Sequence, residues 1–133
     1  MKKRLLLGAM TACFVMAFAA FVFAEEKFGI AVYPGAEFDA ATTKVISTMS
    51  SSIKGAACYR TKDAVGKVLE FYKGQPGLRN RGVSKQGGMF TKGSNEECMD
   101  RGCTDVTIQS PWIDTKTGKM NNDTLISIVE NQL

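Results

Sequence analysis

Sulfur is the first place to look for chemistry in this chain. It has four cysteines, at positions 13, 58, 98 and 103, and no histidine among its 133 residues. The missing imidazole removes the Ser/His/Asp and Cys/His nucleophilic machineries, every His-ligated metal and the C-x-x-C-H haem attachment. What remains is thiol and carboxylate chemistry. Cys98 and Cys103 enclose Met-Asp-Arg-Gly, a short glycine-containing stretch that can bring two sulfurs together, so a disulfide is expected between them. A redox-active pair is the alternative, but such pairs usually have two intervening residues rather than four. Cys58 lies beside Tyr59 in an apolar run. It is expected to be a buried free thiol, with a reactive thiol as the alternative.

Carboxylates offer less. Glu96, Glu97, Asp100 and Asp105 flank the cysteine pair, yet no D-x-[DN]-x-[DN]-G calcium loop is present. Around Asp114, Lys116 and Lys119 stand where ligand oxygens would be needed. Three cysteines without histidine make a poor zinc site, and the glycines at 87, 88 and 93 lack the spacing of a phosphate loop. No metal, cofactor or catalytic residue is therefore expected. One charge asymmetry stands out. Between Glu70 and Glu96 there is no acid, but Lys73, Arg79, Arg81, Lys85 and Lys92 form a candidate basic patch for an anionic ligand or an acidic envelope protein.

The elements that must hold these residues begin after an address. Met1-Lys2-Lys3-Arg4 is basic, and Leu5 to Ala24 carries no charge. This is the order of a secretory signal peptide, with Val22-Phe23-Ala24 as the cleavage region and the cut expected between Ala24 and Glu25. An uncleaved inner-membrane anchor is the alternative, because twenty uncharged residues can span a bilayer. A lipidated Cys13 is a weaker one. Expected localisation is periplasmic or secreted, with one domain over residues 25–133. Loss of Lys2, Lys3 and Arg4 leaves 14 basic against 13 acidic residues, so the net charge falls from +4 to +1. A whole-domain attraction to nucleic acid is not expected at that charge, and membrane contact would run through an uncleaved N-terminus.

Within the domain, Tyr33-Pro34-Gly35-Ala36 is a type II turn signal, with proline fixing φ and glycine accepting the positive value that follows. Asp39 is placed to cap a helix over Ala40 to Ser50, whose apolar positions Ala41, Val45, Met49 and Ile53 recur every four residues. Ala56 to Thr61 reads as a strand. Val65, Val68, Leu69 and Tyr72 form one helical stripe, capped by Thr61 or Asp63 and stopped by Gly74 and Pro76. Beyond Arg79 the pattern is β: Arg79 to Gln86, a turn at Gly87-Gly88, then Met89 to Lys92. Residues 93–102 read as a polar loop. Thr104 to Ile113 alternates, with Val106, Ile108 and Trp112 facing one way, and Thr124 to Glu130 is an apolar last strand. The sum is an α+β fold, a small antiparallel sheet with one or two helices packed on one face.

Tyr33-Pro34-Gly35-Ala36, the Tyr-x-Thr-x-Asp segment Tyr59 to Asp63, the Val-x-x-Phe-Tyr helix Val68 to Tyr72 and the β-rich end together resemble a group of small secreted bacterial proteins of uncharacterised activity. The shared residues are turn, cap and core positions, so the resemblance implies a fold and an exported life but no catalytic residue. Three functions follow as expectations. The leading one is a non-enzymatic periplasmic binding or envelope-associated module. The others are a thiol-dependent redox or hydrolytic enzyme using Cys58 or the Cys98/Cys103 pair, and an anchored membrane-surface protein acting through the basic patch.

Overall fold

The computed structural model describes residues 25–133; the expected signal segment and its cut after Ala24 lie outside the described residues. The architecture is α+β, a six-stranded antiparallel sheet with three helices. In chain order the elements are β1 (Glu26–Lys27), β2 (Ile30–Ala31), β3 (Glu37–Phe38), α1 (Ala40–Ser47), β4 (Ile53–Thr61), α2 (Val65–Lys73), β5 (Leu78–Ser84), β6 (Gly87–Lys92), α3 (Asn95–Arg101), β7 (Thr104–Gln109), β8 (Trp112–Ile113), β9 (Met120–Asn121) and β10 (Thr124–Asn131). The large sheet runs β3-β4-β10-β7-β6-β5; β1 pairs with β2, and β8 with β9.

The last strand is the centre of the sheet, as its apolar run requires. Register places Ala57, Ile128, Val106 and Phe90 in one row across four strands, and Tyr59, Ile126 and Ile108 in the next. All seven are buried. Because side chains alternate along a strand, these rows share one face. The α2 stripe of Val68, Leu69 and Tyr72 covers it, and Ile30, Val32 and Tyr33 complete the cluster. Each fully buried aliphatic or aromatic side chain contributes about 1.5–3 kcal/mol of transfer free energy, which offsets the propensity cost of Gly66 in α2. Gly88 lets α2 come close, since a methyl group there would lie 3.0 Å from Leu69 Cδ2. The Tyr72 hydroxyl donates to the Ala31 carbonyl at 2.9 Å and fastens β2 to the helix.

The opposite face carries Cys58, Ser127, Thr107 and Met89 in one row, with Arg60 and Leu125 in the next. Here α1 lies against β4, and a small second cluster forms from Cys58, Trp112 and Leu125 with Ile46. The helices are thus shared between the two faces.

Local expectations fare unevenly, for physical reasons. The turn at Tyr33–Ala36 is present, with Ala36 N donating to the Tyr33 carbonyl at 3.1 Å and Gly35 at φ +79°. Asp39 caps α1 by accepting from Thr42 N at 2.9 Å. The helix ends at Ser47, three residues early, because the Ser47 and Thr48 hydroxyls bond back to the carbonyls of Thr43, Lys44 and Val45 and compete with the ladder. No side chain caps α2, whose N-cap is Ala64; Thr61 Oγ1 instead accepts from Asp63 N. Residues expected as a polar loop contain α3, held by a capping box in which the Ser94 side chain accepts from Glu97 N and Glu97 accepts from Ser94 N. Trp112 does not continue the β7 alternation: after the cis Ser110–Pro111 bond it belongs to the separate β8–β9 hairpin.

Candidate functional site

The sulfur chemistry resolves simply. Cys98 and Cys103 form a disulfide across the end of α3, with Cα atoms 4.7 Å apart. Cys58 is a free thiol with no exposed surface. Its Sγ lies 3.6 Å from Ser127 Oγ, and burial pushes its pKa up despite hydrogen bonds to Ser127 and Thr43 that oppose the shift. A buried thiol held in its neutral form is a poor nucleophile.

Two of the carboxylates beside the disulfide have structural roles. Glu97 closes the capping box, and Asp105 accepts from Thr91 Oγ1 at 2.6 Å and Asn131 Nδ2 at 3.3 Å. Among the described residues no cluster of three or more acidic or sulfur groups suits a metal ion. The five basic residues are not gathered into one patch. Lys73 pairs with Glu70 at 3.1 Å on α2, while Lys92 Nζ donates to the Gly29 carbonyl at 3.0 Å on the α2 side of the sheet. Arg79 turns to the other face, where it donates to Asn95 Oδ1 at 2.8 Å and the Gly93 carbonyl at 3.3 Å. Arg81 and Lys85 are exposed along the β5 edge and its turn. Glu25, the expected new N-terminus, is ordered through its carbonyl, which accepts from Val32 N at 2.7 Å.

The feature that sequence reasoning missed lies on the α1 face. No residue of α1 is buried. Its apolar positions Ala41 and Val45, with Met49 just past its end, form one wall of an open groove of about 600 Å³. Pro111, Trp112, Ile113 and Met120 form the opposite wall, and Ile46 and Leu125 lie at the floor. Met49, Ile113 and Met120 are 64%, 57% and 51% exposed, so the groove opens to solvent. Gln86, Gln109, Asp114 and Lys116 stand at its rim.

A polar chain holds both walls in place. Trp112 Nε1 donates to Asp123 Oδ1 at 2.9 Å, and Arg60 Nε donates to Asp123 Oδ2 at 2.7 Å. The Arg60 guanidinium also sits 5.0 Å from the Trp112 ring centroid, within cation–π range. A further ion pair of 3.7 Å joins Arg60 to Asp39, the cap of α1. Hairpin, β10, β4 and α1 are thereby linked through four side chains. Burial alone would raise the Asp123 pKa, but the hydrogen bonds from Arg60 and Trp112 outweigh it and hold the carboxyl below its usual range. Beyond Arg60 lies a second, polar cleft of about 640 Å³ whose lining includes Glu37, Asp39, Asp63 and Asp123. Lys62 lines it too, so the site has an apolar compartment and a polar, charged one, with Arg60 and Trp112 between them. Nothing in it supplies an activated nucleophile.

No protein-family model, curated protein or solved structure matches the chain.

Proposed function

We propose that the mature chain is a non-enzymatic binding module exported to the periplasm, and that the groove between α1 and the β8–β9 hairpin is its binding surface. The open groove carries this reading. An amphipathic helix normally turns its apolar stripe towards the core; here the stripe faces solvent, opposite the four apolar residues of the facing wall, on a frame fixed by hydrogen bonds. Concave, mostly apolar sites with a few polar groups at the rim are the usual form of ligand sites. The state of the cysteines favours binding over thiol catalysis, because one is buried and two are bridged. The anchored reading depends on residues 1–24, which the structure does not describe. Among the described residues no helix is long and apolar enough to cross a membrane.

The test has two parts. Intact-mass measurement of the protein recovered from the periplasm should give a chain beginning at Glu25 with one disulfide. An environment-sensitive apolar dye should bind the purified protein and be excluded by Val45→Asp, which places a charge in the groove wall. Retention of the uncut N-terminus, or dye uptake that Val45→Asp leaves unchanged in a folded protein, would overturn the respective half of the reading.

A further inference from the structure

Resting on that reading, we infer that the groove seats one aliphatic chain ending in a carboxylate, a free long-chain fatty acid, with its head beside Lys116.

The walls argue for hydrocarbon. They are built from Ala41, Val45, Met49, Ile113 and Met120, and the two methionines adapt to an unbranched flexible guest. A peptide segment would bring a donor and an acceptor at every residue, and apart from Thr42, Thr115 and the rim glutamines Gln86 and Gln109 the lining offers them few neutral partners. A planar aromatic guest would want an open indole face, but the Trp112 ring is already stacked by Arg60 and is only 5% exposed. A second copy of the chain fits poorly as well. A stable interface engages about 20–30 residues on each side, whereas 15 residues line the groove. Its volume of about 600 Å³ lies in the range of small-molecule sites, roughly 300–1,000 Å³.

The charge at the rim argues for an anionic head. Only two ionisable residues line the groove, Asp114 and Lys116. The Asp114 carboxylate is occupied within the turn, where Oδ1 accepts from Lys116 N at 2.9 Å and Thr117 N at 3.3 Å. It also lies close enough to Arg60 to help stabilise the guanidinium charge. Lys116 is exposed and makes no ion pair among the described residues. Its ammonium is therefore the charge at the mouth that is free to meet a ligand. A single groove of this size suits one chain; the second chain of a diacyl lipid would stay in water.

The experiment is a chain-length series of free alkyl carboxylates, titrated below their micelle concentrations into the full mature protein and read by the fluorescence of Trp112, its sole tryptophan. Affinity should rise roughly fourfold per added methylene until the groove is filled, then level off. Lys116→Glu, an exposed change that leaves the core untouched, should weaken carboxylates about fivefold and strengthen matched alkyl-trimethylammonium ions. Affinity that does not depend on chain length, or a head-group preference that Lys116→Glu does not alter, would overturn the inference. A photo-reactive residue at position 113 separates the two readings. A crosslink in the envelope to a protein of discrete mass would overturn the fatty-acid assignment and leave the binding module standing. Neither crosslink nor alkyl binding would overturn both.

Discussion

The indole of Trp112 and the carboxylate of Asp123 are joined by a 2.9 Å hydrogen bond, and the second oxygen of the same carboxylate holds Arg60 at 2.7 Å. One short side chain just before β10 thus fixes a hairpin that has only two residues in each strand. Asp123→Ala would leave a mostly buried indole N–H and a guanidinium without their acceptor. The expected cost is about 2–3 kcal/mol, the usual penalty for stranding donors to a charged group. Urea unfolding followed by tryptophan fluorescence measures it, and the native emission should also shift to the red as Trp112 gains solvent. Unchanged stability would mean that the hairpin is held by packing alone.

The same carboxylate predicts an acid limb. Its pKa is lowered in the folded protein, so the folded state holds fewer protons at Asp123 than the unfolded chain does near the ordinary value of 3.8. The resulting stabilisation is present above that value and is lost as pH falls through the folded pKa. Asp63, lowered chiefly by the hydrogen bond from Tyr33, acts in the same direction. Asp123→Asn should flatten the decline in thermal stability below pH 4 relative to the wild type. Parallel declines in the two proteins would assign the acid limb to other groups.

At the alkaline end the sign reverses. Burial, with the hydrogen bond to Asp63, pushes the Tyr33 hydroxyl up to about 12. The folded protein keeps a proton that the unfolded chain releases near pH 10. The linked stability is therefore fully present below pH 10 and is lost as pH rises towards about 12. Tyr59 and Tyr72 are also raised, mainly by burial, so several groups contribute to the alkaline limb. Tyr33→Phe should lower stability at neutral pH and make the loss above pH 10 shallower. A limb as steep as the wild type's would remove Tyr33 from it.

What the sequence could and could not convey is visible in particular elements. The α2 stripe was legible because Val68, Leu69 and Tyr72 at helical spacing admit one buried face, and β10 was legible as an apolar strand, though not which place it takes in the sheet. The α1 stripe was equally legible as a period, but a period does not say what the stripe faces. Its neighbours, Trp112 and Met120, are more than sixty residues away in sequence, and Trp112 lies past the end of β7, in the separate β8–β9 hairpin. Arg60 and Asp123 likewise meet across 63 positions, with no local signal to announce the pair. The α3 helix was hidden for the opposite reason. Its residues are almost wholly polar, so it has no stripe, although Ser94 followed three residues later by Glu97 is a capping-box signature that marks its start.

The disulfide should stabilise α3 without touching the sheet. Cys98 and Cys103 are five residues apart in sequence. Closing so short a loop restricts the unfolded chain by about 2 kcal/mol. A Cys98→Ser, Cys103→Ser double variant should lose about that much and should expose the α3 amides first in hydrogen exchange. In the protein beginning at Glu25, a maleimide should label nothing until denaturant is added, because Cys58, the one free cysteine among the described residues, is fully buried. Labelling of the native protein at Cys58 would show that β4 and α1 separate readily and would revive thiol chemistry as a function.

The groove predicts a dissociation between stability and binding that a core would not allow. Ile126 is fully buried and lies between Tyr59 and Ile108 at the centre of the sheet. Truncating it to alanine should cost about 2–5 kcal/mol through lost transfer energy and an unfilled cavity. Met49 follows the end of α1 and is 64% exposed. If its side chain stabilised the fold, Met49→Ala would show a similar if smaller loss. Because it instead lines an open wall, truncation should change stability by no more than about 0.5 kcal/mol, while the affinity for an apolar probe falls severalfold with the loss of its contact surface. Thermal unfolding and probe titration on the two variants separate the alternatives. A Met49→Ala protein that is clearly destabilised and binds the probe as the wild type does would place the α1 stripe in the core after all.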